Sequence, residues 1–225
     1  MLVLVIDTSS AAVTTGIVAL SADGAPSVRA QRVSVDGRAH AELLAPSVRD
    51  CLAEAGVGLT ELAAIVAGVG PGPFTGLRVG LVTAAALADA TGLPSYPVCS
   101  LDAIAAVHPE AEDLLVAGDA RRKEVYWARY RYAVRVAGPA VCKPDQLSGG
   151  SADLSGCTAM VGAGAALYQS VLNLPILQGE YPTVLGLATV AAPKVLAGAP
   201  SEPLVPLYLR RPDAVAATAR KAVSQ

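Results

Sequence analysis

Aromatic residues are scarce in this chain of 225 residues, which holds one Phe, one Trp and seven Tyr. The core must therefore be built from Ala, Val and Leu packed at close separations rather than around large aromatic anchors. Charge is scarce too: 16% of residues are charged against 53% hydrophobic, enough apolar material for a substantial core in one large domain or two small ones. A formal net charge of -2 offers no global attraction for a polyanion, so RNA contact needs a local patch or a partner. No apolar run reaches the roughly 18 residues of a membrane span. Met1 runs straight into a short strand, with no charged n-region or h-region, which points to a cytoplasmic protein. Cys51, Cys99, Cys142 and Cys157 form no Cys-x-x-Cys pair and have no histidine at ligand spacing, so they are expected as buried thiols in a reducing compartment.

What is present is a patterned first half. Leu2 to Ile6 is an apolar run stopped by Asp7-Thr8-Ser9-Ser10; Val13 to Leu20 and Ser27 to Val35 follow, predicting a three-stranded meander. Arg38 to Ala55 carries Leu44, Val48, Cys51, Leu52 and Ala55 on one helical stripe. A strand over Ala63 to Val69, a helix over Gly76 to Ala90 and a strand over Pro94 to Val98 complete a βββαβαβ order, which implies a mixed sheet with helices packed on it. The second helix is apolar almost all round. A helix on a sheet buries only one stripe, so the remaining sides call for a second cover, and a partner interface made with the first helix is favoured.

The second half is less regular and reads as a smaller α/β unit. Leu114 to Gly118 and Glu124 to Val136 are expected as a hairpin joined through Asp119 to Lys123. A loop over Gly149 to Ser155, a strand over Thr158 to Val161, and helices over Ala163 to Leu172 and Gly186 to Leu196 follow. The division expected is 1–100, 101–211 and a tail over 212–225.

Between the strand ending at Val69 and the second helix lies Gly70-Pro71-Gly72-Pro73-Phe74-Thr75-Gly76-Leu77-Arg78-Val79-Gly80. Its glycines permit positive φ or close backbone approach, and its prolines fix their own φ, so the loop is shaped. Thr75 is the expected helix cap. A Walker A loop is excluded because Leu77 and Arg78 follow Gly76 where a Lys and a Ser or Thr are required. The dinucleotide fingerprint fails as well, since its sixth position counted from Gly68 is Pro73.

Asp7-Thr8-Ser9 ends the first strand, and the chain returns through Thr14-Thr15-Gly16. In folds of the actin, hexokinase and Hsp70 superfamily an acid at this place sits near the metal-phosphate group and hairpin amides cradle phosphate. Asp7, Thr8, Thr14 and Gly16 are thus candidates for a remnant nucleotide site. The plainer alternative is a strand end whose polar side chains satisfy backbone groups.

Taken together, Val5-Ile6-Asp7-Thr8-Ser9, the His40-Ala41-Glu42-Leu43-Leu44-Ala45-Pro46 helix, the glycine loop ending in Leu77-Arg78-Val79-Gly80, Asp119-Ala120-Arg121 with Glu124-Val125-Tyr126-Trp127, and Pro206-Leu207-Tyr208-Leu209-Arg210 resemble the TsaB (YeaZ) family in order and spacing. The resemblance spans nearly the whole chain to about Arg211. It implies an α/β, actin-like ATPase fold of two lobes, each a mixed sheet flanked by helices. It also implies a non-catalytic subunit that pairs with TsaD in making N6-threonylcarbamoyladenosine at position 37 of tRNAs reading codons that begin with A. The ATPase TsaE is the further partner, tRNA is met indirectly, and a homodimer is expected when the chain is alone.

TsaD carries a metal site on a His pair four residues apart. Here the position four residues after His40 is Leu44, so neither a metal nor a catalytic residue is expected, and no cofactor is assigned. His108, before Pro109, reads as a surface residue. The expected partner interface is His40, Leu43, Ser47, Thr75, Arg78, Val79 and Val82. Arg129, Arg131 and Arg135 with Trp127, and Tyr126, Tyr130 and Tyr132 opposite, alternate as on a sheet with one wet face and offer at most an auxiliary RNA contact. The alternative function is an ATPase acting alone through Asp7. A peptidase ranks last, for want of a metal pair or a Gly-x-Ser-x-Gly elbow.

Overall fold

The computed structural model describes residues 1–147 and 154–210. β1 (Leu2–Asp7) is apolar without a break up to Ile6 because it has neighbours on both sides and cover on both faces. It pairs antiparallel with β2 (Ala12–Ser21) and parallel with β4 (Ala64–Gly68), and the sheet runs β3-β2-β1-β4-β5, with β3 (Gly24–Val35) and β5 (Ser95–Val98) at its edges. The meander and the mixed sheet agree with the pattern read from the sequence.

On one face, α1 (His40–Ala55) and α2 (Phe74–Thr91) lay Leu44, Cys51, Leu77 and Leu81 against Leu4, Ile6 and Ile17. The other face is covered by α7 (Val184–Leu196), whose Val184, Leu187, Ala188 and Ala191 pack on Val3, Val5, Val18 and Val66. The sequence places this helix in the second-half unit; it packs on the first sheet. Periodicity shows that a helix has an apolar stripe but not which sheet receives it. α7 is capped by Thr183, whose Oγ1 accepts from the Gly186 N–H at 3.0 Å.

The second sheet runs β8-β7-β6-β9, built from β6 (Leu114–Asp119), β7 (Val125–Arg131), β8 (Val134–Cys142) and β9 (Ala159–Val161). α3 (Ser100–Ala105) covers one face with Leu101 and Ile104 on Val116 and Tyr126. Leu147, Ala165 of α5 (Ala163–Leu167) and Leu172 of α6 (Gln169–Leu172) meet Leu115 and Trp127 on the other. A one-turn helix, α4 (Pro144–Gln146), follows β8.

Several boundaries differ from expectation. The stretch 124–136 is not one strand: Tyr132 and Ala133, at φ 47 and 60, turn β7 into β8. The helix over 163–172 breaks at Tyr168, whose φ of -119 leaves the helical region. Thr75 is not a cap, because α2 already begins at Phe74 with Pro73 before it. Most of the loop placed at 149–155, and the tail over 212–225, lie outside the described residues. Of the four free thiols only Cys51 is fully buried, the other three being half-buried.

The start of β6 is tied down by charge. Asp113, just before it, accepts from Arg129 Nε at 2.6 Å and Nη2 at 2.7 Å, and from Arg131 Nε at 3.0 Å. The Arg129 guanidinium holds the Asp113 carboxyl at about 2, below the ordinary value of 3.8. The unfolded chain therefore binds the extra proton first, and this contribution to stability is whole above about pH 4 and is lost as pH falls towards 2.

Two expectations follow from this packing. Leu187→Ala should cost about 2–5 kcal/mol in denaturant unfolding, whereas Val82→Ala, at a side chain 66% exposed, should stay within about 0.5 kcal/mol. Asp113→Asn should cost about 3–5 kcal/mol at neutral pH and should flatten the fall in stability between about pH 4 and 2, read from urea titrations across that window.

Candidate functional site

The end of β1 is where the fold closes on itself. Asp7 is buried, and its Oδ1 accepts from the Ser9 amide and hydroxyl, both at 2.8 Å, while Oδ2 accepts from Ser100 Oγ at 2.6 Å. Burial raises its carboxyl above the ordinary carboxylate range, with the Ser100 and Ser9 hydrogen bonds opposing that rise. Thr8 Oγ1 donates to the Gly76 carbonyl at 2.7 Å and accepts from the Gly80 N–H at 2.9 Å, fastening the first turns of α2 to the strand end.

The glycines of the loop are explained by this contact. A Cβ at Gly68 would overlap the Asp7 carboxylate, one at Gly72 the Ser9 carbonyl and one at Gly80 the Thr8 hydroxyl. Thr14 and Gly16, expected on the returning arm of a hairpin, lie in β2, antiparallel to β1 and paired with Asp7 and Val5. Thr14 Oγ1 donates to the Pro182 carbonyl at 3.1 Å, and Val184 with the Ala30 carbonyl fills the space a Gly16 side chain would need. The structure brings the four candidates together, but as parts of a packed joint.

Beside the joint, two cavities open between the sheets. One, of about 290 Å³, has Ser9, Pro71, Ser100, Asp119, Tyr126 and Tyr181 in its wall. The other, of about 400 Å³, is bounded by Ser10, His40, Thr75, Arg121, Arg122 and Arg210. Among the described residues no group of three or more His, Cys, Asp and Glu could hold a metal ion. The His40 ring, through Nε2, is 2.8 Å from the Ser10 carbonyl, a contact in which the nitrogen donates. Leu44, where a paired histidine would stand, is in the core. His108 is half-buried rather than on the surface, with Nδ1 3.7 Å from Glu110.

The residues expected at a partner surface divide by exposure. His40 and Ser47 face inward, Leu43 and Val79 are half-buried against the α1–α2 core, and Thr75, Arg78 and Val82 are exposed. Arg78 Nε donates to Tyr208 OH at 2.7 Å. The Tyr208 ring stacks on Phe74 with centroids 4.3 Å apart and planes 16° from parallel. The Arg78 guanidinium lies 5.6 Å from each ring centre, within cation–π reach. Sequence reasoning missed Phe74 and Tyr208 as part of this surface. Phe74 stands one helical turn before Arg78, which is a usable signal; Tyr208 lies 130 residues further on, and nothing local points to it.

The arginine strand reads differently in three dimensions. Both faces of β7 are buried, Tyr126 and Tyr130 in one core and Trp127 in the other, so neither is a wet face. Arg129 and Arg131 hold Asp113, and Arg135, which belongs to β8, pairs with Asp102 at 2.9 Å beside Tyr130. No helix among the described residues is long and apolar enough to cross a membrane.

Residues 33–218 match the family model described as TsaD, tRNA N6-adenosine threonylcarbamoyltransferase. An uncharacterised protein of Mycobacterium leprae is 50% identical over 97% of this chain, which spans only 57% of that relative's length. One of Mycobacterium tuberculosis is 48% identical over 94% of this chain and 93% of its own. The Escherichia coli protein named tRNA threonylcarbamoyladenosine biosynthesis protein TsaB is 37% identical over 58% of this chain and 55% of its own. Among solved structures, YeaZ from Pseudomonas aeruginosa superposes with a TM-score of 0.76 at 28% identity, covering 92% of this chain and 99% of that one. Component A of the Acidaminococcus fermentans (R)-2-hydroxyglutaryl-CoA dehydratase reaches 0.52 at 13% identity over 87% of this chain and 99% of its own, a likeness of fold alone. Two mixed sheets flanked by helices in this arrangement are the actin-like ATPase fold, and the chain belongs to the TsaB (YeaZ) family.

Proposed function

We propose that this chain is a non-catalytic scaffold subunit in the formation of N6-threonylcarbamoyladenosine on tRNAs reading codons that begin with A. It pairs with TsaD through α1 and α2, TsaE joins the larger assembly, and tRNA is met through the partner. The observation that carries the reading is the α2 strip of Thr75, Arg78 and Val82. Val82 is 66% exposed, and Ala85 and Ala86 beside it are exposed as well. Contiguous apolar exposure on a helix favours a protein partner. Half-buried Leu43 and Val79 form the floor of the contact, with His40 and Ser47 buried beneath it and His40 tied to the Ser10 carbonyl. The names of the E. coli relative and of the matching family model support the choice of pathway. Alone, the chain self-associates through the same strip, and the setting is cytoplasmic.

The division into lobes at 1–100 and 101–211 belongs to the same proposal, with α7 returning from the second stretch to cover the first sheet. A second reading, an ATPase acting alone through Asp7, is favoured by the 290 Å³ cavity beside Ser9 and Ser100. Against it, both Asp7 oxygens are already engaged by serines.

Light scattering after size exclusion, on the chain with its cognate TsaD, tests the scaffold. Val82→Asp should weaken association by at least about 30-fold, the roughly 2 kcal/mol of an interface hot spot. Val79→Asp should act in the same direction, and threonylcarbamoylation should require both subunits. An unchanged complex with both variants would sink the reading. ATP turnover by the isolated chain that disappears in Asp7→Ala would establish the ATPase in its place.

A further inference from the structure

α2 carries two charges, Arg78 and Asp89, and both stand against its own dipole. The free N–H groups make the start of a helix positive and the free C=O groups make its end negative, so acids favour the first turn and bases the last. In α2 the first turn holds no acid and the last turn no base; the cation lies towards the start and the anion stands in the final turn. The two are 11 residues apart, about 16 Å along the axis, which is too far to pair within one helix at physiological salt. Tyr208 engages Arg78 through its Nε. The Asp89 carboxylate has no hydrogen bond or ion pair among the described residues, so no contact inside the chain sets its place.

These charges bracket an exposed stripe. Arg78, Val82, Ala85 and Asp89 are all exposed and follow one another at steps of four, three and four residues, which puts them on one side of the helix. The spacing is the same from either end: Val82 lies four residues after the cation, and Ala85 four before the anion. A second α2 turned end for end therefore sets Asp89 opposite Arg78 and Ala85 opposite Val82, and repeats both pairs beyond the centre. In that register Thr75 meets Gly92, where a Cβ would find nothing within 4 Å. Beside the second half of α2, Ala85, Ala88, Gly92 and Leu204 line a shallow groove of about 450 Å³, which leaves room for an incoming valine side chain.

We propose that a second copy of this chain docks on α2 through an antiparallel α2–α2 contact whose register is set by two symmetric Arg78–Asp89 pairs, with Val82 of each copy against Ala85 of the other. The contact is isologous, each copy offering the same patch, so it closes as a dimer. Each Arg78 then faces the negative end of the other copy's helix and each Asp89 the positive end, which turns the unfavourable placement of both charges within one helix into a favourable one between two. Val82, 66% exposed in the single chain, loses its contact with water at the centre. The inference rests on the reading of α2 as an association face and adds which residues meet when the partner is the chain itself.

The test is sedimentation of the full chain over a concentration series, with circular dichroism to show that each variant is folded. Arg78→Glu and Asp89→Arg, made singly, should each weaken self-association at least about tenfold, because each sets like charges face to face twice in the dimer. An equimolar mixture of the two variants should recover the dimer as a mixed species, since both of its charge pairs are again opposite in sign, and the double variant should recover it alone. If Arg78→Glu does not fold without its Tyr208 contact, Asp89→Arg decides by itself, at an exposed position with no partner in the chain to lose. A chain that stays monomeric at submillimolar concentration overturns the proposal, as does a dimer that folded Asp89→Arg leaves unchanged or a mixture of folded variants that does not recover. Monomeric behaviour together with Val82-dependent binding to TsaD removes this inference and leaves the scaffold standing; a dimer with this charge pattern and no binding to TsaD does the reverse.

Discussion

The buried carboxyl of Asp7 is the point on which the architecture turns. It lies at the end of the central strand, under a glycine of the next parallel strand and within hydrogen-bond reach of the first residue of α3. An ionisable group withdrawn from water is tolerable only when its oxygens are supplied with donors, and here two serines supply them. Thr8 next door fixes α2 in both directions, to the Gly76 carbonyl and from the Gly80 amide. The spacing between β1, the glycine loop and α2 is thereby set by backbone contact, which is why the loop has glycine where a side chain would collide.

From that joint the two surfaces of interest are placed by consequence. α2 is held so close to β1 that Gly76, Leu77, Gly80, Leu81 and Ala84 form its buried stripe, which leaves Thr75, Arg78 and Val82 outward. The C-terminal segment then crosses the same region. Leu207 donates its amide to the Val69 carbonyl, Tyr208 stacks on Phe74, and Arg210 reaches the β6–β7 turn. A short irregular stretch thus touches the start of α2 and the second sheet within a few residues. It forms one edge of the arginine-lined cavity and one side of the exposed helix.

The chemistry that the sequence suggested for the β1 end is redistributed by packing. Asp-Thr-Ser at a strand end suits a phosphate site or a self-satisfied turn equally well, because both use the same hydrogen-bonding groups. Packing engages Asp7, Thr8 and Thr14 internally and fills the space beside Gly16 with Val184. The arginines of β7 undergo a similar change of meaning: one row in the sequence becomes a buried clamp on Asp113 and, across a turn, a separate pair with Asp102.

Local pattern was enough for most elements of the first sheet, but not for α3, for the turn at Tyr132 or for the break at Tyr168. The apolar runs of Leu2 to Ile6 and Val13 to Leu20, the alternation over Ser27 to Val35, the apolar stripe from Leu44 to Ala55 and the Gly-Pro loop each express their structure within a short window, because the forces that shape them act between near neighbours. The family resemblance was legible for the same reason, since its motifs are contiguous runs. Tertiary structure decided what depends on contacts between distant residues. α7 goes to the first sheet because its stripe fits Val3, Val5 and Val18, Tyr208 finds Phe74 across the chain, and Arg210 joins Arg121 and Arg122 at one cavity. A sequence records which residues are apolar, small or charged; which of them share a space is fixed only when the whole chain closes its core.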